Sequence, residues 1–271
     1  MAKAFLQPRE GLLLVDSLNF CFRYRNRKGA FSADFIRDIR SFSTSFNCRE
    51  VIILGDRYGS KYRKDIYPDY KGNRKKKDQT PEEKDQFTEF INEYNHTLEV
   101  AKECFKVVVI EGIEADDTIS WFCLNKHRDF SDITILSTDK DLDQLVTPKV
   151  KRFSYVTRKE TNAENFEETV GVIPSEFLLL KCLQGDSGDN IPGVAGIGGK
   201  RGAVIAREYC ELELILDAMP LDGKQKFITN LNASRDLLLL NDKLMNLLDY
   251  HGDIFTQEHI NYINEVYNAT N

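Results

Sequence analysis

Short apolar runs alternating with amphipathic stretches set the rhythm of the first 155 residues. Gly11–Asp16 (GLLLVD) is a continuous apolar run closed by a carboxylate, which is how a buried strand reads. Comparable runs lie at residues 50–54, 106–110, 132–136 and 150–155. Between them, Phe35, Ile36, Ile39, Phe42 and Phe46 recur at helical spacing over residues 32–47, with Ser32 placed to act as N-cap. A second helix is expected over residues 115–127. Strands separated by helices predict an α/β fold, a mainly parallel central sheet flanked by helices. Sites in such folds form at the carboxyl ends of the strands. The acidic residues fall there: Asp16, Asp56, Glu114 with Asp116 and Asp117, and Asp139 with Asp141.

An insertion of about residues 59–105 separates the second and third strands, longer than a compact fold needs, so it is expected to be functional. It begins basic and tyrosine-rich (Tyr58, Tyr62, Tyr67, Tyr70) and continues as a helix from Pro81, capped by Thr80. Beyond Pro174 the pattern is helical, broken by a glycine-rich stretch at residues 185–202. The expected division is an α/β core over residues 1–175 and a helical region over 176–271. No apolar run reaches the ~20 residues of a membrane span, and residues 1–10 lack a signal-peptide pattern. A cytoplasmic location is therefore expected. Six scattered cysteines with no CxxC pair and four dispersed histidines argue against a disulfide framework and a zinc site. Any metal should be a hard one held by oxygen.

Net charge is −6, but from residue 61 to 78 eight basic residues face three acidic ones. Setting aside nine acidic residues as metal ligands leaves +3, compatible with a DNA-binding surface. Glu114, Asp116 and Asp117 crowd the start of a helix, where acids also serve as partners of the macrodipole. Asp139, Asp141 and Asp143 repeat the theme; an EF-hand fails because Gln144 and Val150 stand where Gly and Glu are required. Two acid clusters at neighbouring strand ends repel unless cations lie between them, and a divalent metal pair about 4 Å apart suits phosphoester hydrolysis. Gly185-Asp186-Ser187-Gly188 resembles the surroundings of a protease serine, but no triad context accompanies it. Asp186 and Asp189 read better as further carboxylates of the set. The run Ile191–Gly202 reads as a helix-hairpin-helix element over about residues 178–210, with backbone amides, Lys200 and Arg201 gripping phosphates without reading bases.

The segments LLLVDSLNFCFR, ILGD, YPDYKGNR, GIEADD, STDKDLD, GDSGDNIPGVAGIGGKRG and GKQKFITNLNAS span residues 12–234. In that order they resemble the 5′ nucleases or flap endonucleases, including the 5′-nuclease part of bacterial DNA polymerase I and, most of all, the stand-alone bacteriophage enzymes. The resemblance implies a PIN-like nuclease core, with Asp16, Asp56, Glu114, Asp116, Asp117, Asp139, Asp141, Asp186 and Asp189 binding two Mg2+ ions directly or through water, and Mn2+ substituting. It places Lys71 and Arg74 at the scissile phosphate, catalytic with Asp16 and Asp56. Arg23, Lys181, Lys200 and Arg201 would hold DNA backbone, and Tyr70 or Tyr67 would stack on a base or pack under the insertion. That insertion would arch over a single-stranded 5′ end, and K+ would bind the hairpin carbonyls. The implied substrates are DNA with 5′ flaps, nicks or free 5′ ends, cut by a monomer that serves a replicative polymerase. Ser17 departs from the Gly of many relatives, and the last ~35 residues carry no implied role. Two other readings compete: a haloacid-dehalogenase-like phosphatase, which would need a DxD that Asp16-Ser17-Leu18 does not supply, and a DNA-binding protein without activity.

Overall fold

The computed structural model describes residues 10–27, 29–76 and 80–269. Lys77 and Asp78 of the basic run, and residues 1–9, lie outside the described residues. The chain starts with β1 (Gly11–Asp16), α1 (Ser17–Cys21), α2 (Ser32–Ser45) and β2 (Cys48–Arg57). The insertion contributes α3 (Lys61–Ile66), a short 3₁₀ turn and the long α4 (Pro81–Ala101). Next come β3 (Lys106–Glu111), α5 (Ala115–Lys126), β4 (Ile133–Leu136), β5 (Val150–Ser154) and β6 (Lys159–Thr161). The remainder is helical: α6 (Phe166–Val170), α7 (Pro174–Gln184), α8 (Gly199–Tyr209), α9 (Leu212–Ala218), α10 (Lys226–Asn232), α11 (Arg235–Met245), α12 (His251–Ile254) and α13 (Gln257–Asn268). Among the described residues no helix is long and apolar enough to cross a membrane.

The strands form one sheet in the order β3-β2-β1-β4-β5-β6. All neighbours are parallel except the β5–β6 pair at the edge. The expected parallel α/β sheet is therefore present, with β6 as an unforeseen antiparallel addition. Both faces are covered, which is why β1 reads as a continuous apolar run rather than an alternating one. Leu12 and Leu14 point to the side of α5, while Leu13 and Val15 point to the side of α2 and α4. Strand order reverses around β1, so loops leaving β1 and β4 diverge and open a crevice beyond Asp16.

Two helix starts show how local chemistry sets the frame. Thr80 accepts from the Glu83 amide at 3.2 Å while the Glu83 carboxylate accepts from the Thr80 amide at 2.9 Å, a capping box with Pro81 next in line. Ser32, expected as a cap, is instead the first residue of α2; Phe31 takes the cap position and its buried ring packs on Phe90 of α4. A third apolar cluster joins α7, α8, α9, α10 and α11 around Leu179, Leu183, Ile205, Leu231 and Leu238. That body carries the Gly185–Gly202 loop back to the sheet's carboxyl end.

Candidate active site

Five elements deliver carboxylates to one crevice. Asp16 ends β1 and is buried, accepting from Ser137 Oγ at 2.7 Å and from the Asn19 amide at 3.3 Å. Burial, together with nearby Asp56 and Asp139, pushes its carboxyl up to about 8. Asp56 lies near the end of β2, whose polar last residues carry the strand past the apolar run, and it accepts from the Ala115 amide at the start of α5. Burial and Glu114 push Asp56 up to about 6. Asp116 is held well above the usual carboxylate range by burial and by Asp139, Asp16 and Asp56. These mutual effects locate Asp16, Asp56, Asp116 and Asp139 as one repelling group. The simple capping explanation for the acids at α5 does not hold for Glu114. It occupies the cap position without a cap bond, and Asp56 from the neighbouring strand meets that helix end instead.

Glu114 looks into the crevice. Its Oε1 accepts from Lys71 Nζ at 2.6 Å and its Oε2 accepts from the Tyr70 hydroxyl at 2.9 Å. Burial opposes the Glu114 charge, but Lys71 and Arg63 outweigh it and lower its pKa. The Y-K-G-N-R segment docks on the Gly185 loop: Lys71 N donates to Asp189 O at 2.8 Å, Asn73 Nδ2 to Ser187 O at 2.6 Å, and Asn190 Nδ2 to Asp69 O at 2.8 Å. Arg74 reaches Asp189 Oδ1 at 2.6 Å. Gly185 and Gly193 make this loop possible, since a Cβ at Gly185 would sit 2.4 Å from Gly193 N and one at Gly193 would sit 2.0 Å from Gln184 O. Lys181, on α7, spans Asp141 at 2.7 Å and Asp186 at 2.9 Å. Burial and Asp139 raise Asp141 to about 6 against the pull of Lys181.

The geometry bears on three of the expected residues. Asp117 does not face the other acids; both its oxygens accept from the buried Arg63 at 2.7 Å, and Arg63 Nε donates to Leu244 O at 2.7 Å. Tyr70 is 3% exposed, so its ring offers no face to a base; its hydroxyl braces Glu114 and lies 3.1 Å from Asp189. Lys181, expected to hold DNA backbone, bridges Asp141 and Asp186. Arg23 lies in the 3₁₀ turn that follows α1, 3.4 Å from Asp38, with its guanidinium 5.0 Å from the Phe20 ring centre. Lys200 and Arg201 are exposed on the first turn of α8, and Arg201 stacks 4.3 Å over Phe227 while donating to Gly196 O. Arg63 and Tyr94 were not singled out from sequence, and Ser17 and Ser137 were noted only as a departure and as part of a quoted segment; Arg63 carried a signal only as one cation in the basic run.

The site's fit to a metal rests on its donor chemistry. Among the described residues no three carboxylates lie close enough to share one ion as they stand, and Lys71 and Lys181 span gaps between them. Every donor is nonetheless a hard oxygen, and Asp16, Asp56 and Asp116 are pushed up by burial and by neighbouring carboxylates, with no ion-pair partner of their own among the described residues. Such a group fits a small divalent cation.

The comparisons agree with this architecture. A model of the 5′-3′ exonuclease N-terminal resolvase-like domain matches residues 11–171, and one of the 5′-3′ exonuclease C-terminal SAM fold matches residues 172–259. The flap endonuclease of Escherichia phage T5 is 40% identical over 256 residues, covering 93% of this chain and 88% of the phage protein. The T5 D15 protein crystallised with metal ions superposes with a TM-score of 0.91 at 37% identity, over 95% of this chain and 98% of that one. A T5 D15 flap endonuclease complex with DNA and metal ions gives 0.90, with the same identity and coverage. With both family models spanning nearly its whole described length, the chain belongs to the 5′-3′ exonuclease family.

Proposed function

We propose that the chain is a structure-specific 5′ nuclease, a flap endonuclease and 5′-3′ exonuclease. It hydrolyses phosphodiester bonds near the junction of duplex DNA with a 5′ single strand and leaves 5′-phosphate and 3′-hydroxyl ends. The observation that carries this reading is the convergence of carboxylates from β1, β2, α5, the β4 loop and the α7–α8 loop, with Lys71 and Arg74 bound among them. Two Mg2+ ions, replaceable by Mn2+, would be held by Asp16, Asp56, Glu114, Asp116, Asp139, Asp141, Asp186 and Asp189. When bound, such ions activate water and stabilise charge on the phosphate and leaving oxygen.

The chain's own groups do the positioning. Glu114 and Asp189 hold Lys71 at the mouth of the crevice; burial opposes its charge, but these carboxylates keep it fully protonated. Once those carboxylates are otherwise neutralised, Lys71 and Arg74 become donors for a phosphate at the same place. Tyr70 keeps Glu114 and Asp189 in register. Residues 1–175 would be the nuclease core and 176–271 the region that grips duplex, through Lys200 and Arg201. Potassium at the hairpin would share carbonyls that already accept hydrogen bonds, Ala195 O from Asn230 at 2.7 Å and Gly196 O from Arg201. One chain carries every residue named, which supports a monomer, with a replicative polymerase as the source of displaced 5′ strands.

A fluorescent 5′-flap duplex incubated with Mg2+ and with a chelator tests the reading. Metal-dependent release of a 5′-phosphate-terminated duplex is expected. Binding without cleavage, or hydrolysis only of small phosphate esters, would overturn it in favour of the DNA-binding or phosphatase reading.

A further inference from the structure

Ser17, at the start of α1, is tied to the long helix of the insertion. Ser17 is fully buried and directly follows Asp16; its Oγ donates to Leu54 O at 2.8 Å and lies 2.9 Å from the Tyr94 hydroxyl. A serine hydroxyl has one proton. It is committed to the carbonyl, so Tyr94 donates to Ser17, giving a directed chain from the Tyr94 hydroxyl through Ser17 Oγ to Leu54 O. Tyr94 is 2% exposed and stands on α4, the helix that follows the segment bearing Lys71 and Arg74. The other end touches both metal-facing strands. Ser17 adjoins Asp16, and Leu54 precedes Asp56 by two residues, with Gly55 between. A Cβ at Gly55 would lie 2.8 Å from the Tyr94 hydroxyl and 3.3 Å from Ser17 Oγ, so the hydroxyl fills the space that glycine leaves.

We propose that Tyr94 and Ser17 form a positioning relay that links α4 to Asp16 and Asp56 and sets how far apart those carboxylates stand. The relay rests on the metal-site reading above. The competing account is that a buried phenol simply found a hydrogen-bond partner. An apolar pair of the same shape would fill the core about as well, and what it would lose is the link from the insertion to the two strands. By reciprocity, whatever seats α4 on a substrate also favours the ion-binding arrangement of Asp16 and Asp56, and ion binding favours that seating.

The test measures Mn2+ affinity of the full chain without DNA, by electron paramagnetic resonance, in the wild type, Tyr94→Phe, Ser17→Gly and the double variant. Either single change is expected to weaken Mn2+ binding about threefold to tenfold, the span of one buried hydrogen bond. The double variant should be no worse than the weaker single, because both cut the same chain. In cleavage assays Tyr94→Phe should regain most of its kcat at saturating metal, with KM for DNA within about twofold of wild type. If the wild type binds Mn2+ and both single variants bind it equally well, the relay is overturned whatever happens to thermal stability. A wild type that binds no Mn2+ overturns the metal-site reading itself, and the relay with it.

Discussion

Arg63 meets Asp117 with two hydrogen bonds of 2.7 Å where both side chains are almost completely buried. Replacing Arg63 with Met would strand a buried negative charge, so a loss of about 3–5 kcal/mol is expected. Adding Asp117→Asn to that variant should recover part of the loss. Urea denaturation of the three proteins measures this, and a single variant as stable as wild type would contradict the pairing. Lys71→Ala is a different experiment, because Lys71 is 23% exposed and faces the crevice. It should slow single-turnover cleavage about 10²-fold or more while duplex affinity changes far less; a pure binding defect would displace it from the phosphate. The acids from Asp16 to Asp141 were legible in the sequence because they follow apolar strands, whereas Asp186 and Asp189 follow the helix α7 and were read from their glycine-rich loop. The role of Asp117 was not legible. It neighbours Asp116 in sequence, but one helical step turns a side chain by about 100°, and the partner that claims it comes from α3. Tyr70 is a similar case: its hydroxyl reaches Glu114 only because the Y-K-G-N-R segment folds back onto the Gly185 loop.

Elements were legible where apolar residues formed runs or helical stripes, which is why five strands, α2, α4, α5 and α7 lie close to their expected places. The sixth strand is Lys159–Thr161, polar and at the sheet edge, with no apolar run to announce it. The C-terminal helices had no implied role because their pattern shows packing but not its target. In the structure that segment locks the core: Ser120 donates to Leu247 O, Gln144 Nε2 to Met245 O at 2.9 Å, and α13 lies against β3 with Tyr267 over Lys106. His251 joins α12 to α5 through a 3.1 Å contact of Nε2 with Ser120 Oγ, and its ring meets the edge of Phe255 at the end of α12. Burial lowers its pKa below the ordinary 6.5, although Asp117 pulls the other way. The unfolded chain then binds this proton more readily than the folded one, so stability is full above about 6.5 and falls as pH drops through that value. Asp16, raised to about 8, works in the opposite sense. The expected difference is therefore between proteins: the melting midpoint at pH 5.5, relative to that at pH 7.5, should be lower in the wild type than in His251→Gln. Equal pH dependence in both proteins would assign the loss to other groups.

At the scale of the whole molecule, charge has to be reconciled with substrate. A net −6 repels DNA at long range, and much of that negative charge sits in the crevice that must receive a phosphodiester. The exposed cations Lys200 and Arg201 lie on a different element, α8, at the end of the Gly185–Gly202 loop. In the proposed reading, duplex grip and active-site charge thus rest on different elements, and they should respond differently to ions. Log affinity for duplex should fall linearly with log salt, by about 0.9 for each phosphate neutralised. Lys200→Ala with Arg201→Ala should flatten that slope by about 2 if each cation meets one phosphate. Lys71→Ala, measured in the same chelator-containing buffer, should barely alter it, because Glu114 and Asp189 already balance the Lys71 charge. Fluorescence anisotropy of a labelled flap duplex between 50 and 200 mM potassium chloride, roughly the range over which such slopes are read, separates the two sites. A slope that depends on Lys71 as strongly as on Lys200 and Arg201 would mean that DNA reaches the carboxylates without a divalent ion. The separation of grip from chemistry would then be wrong.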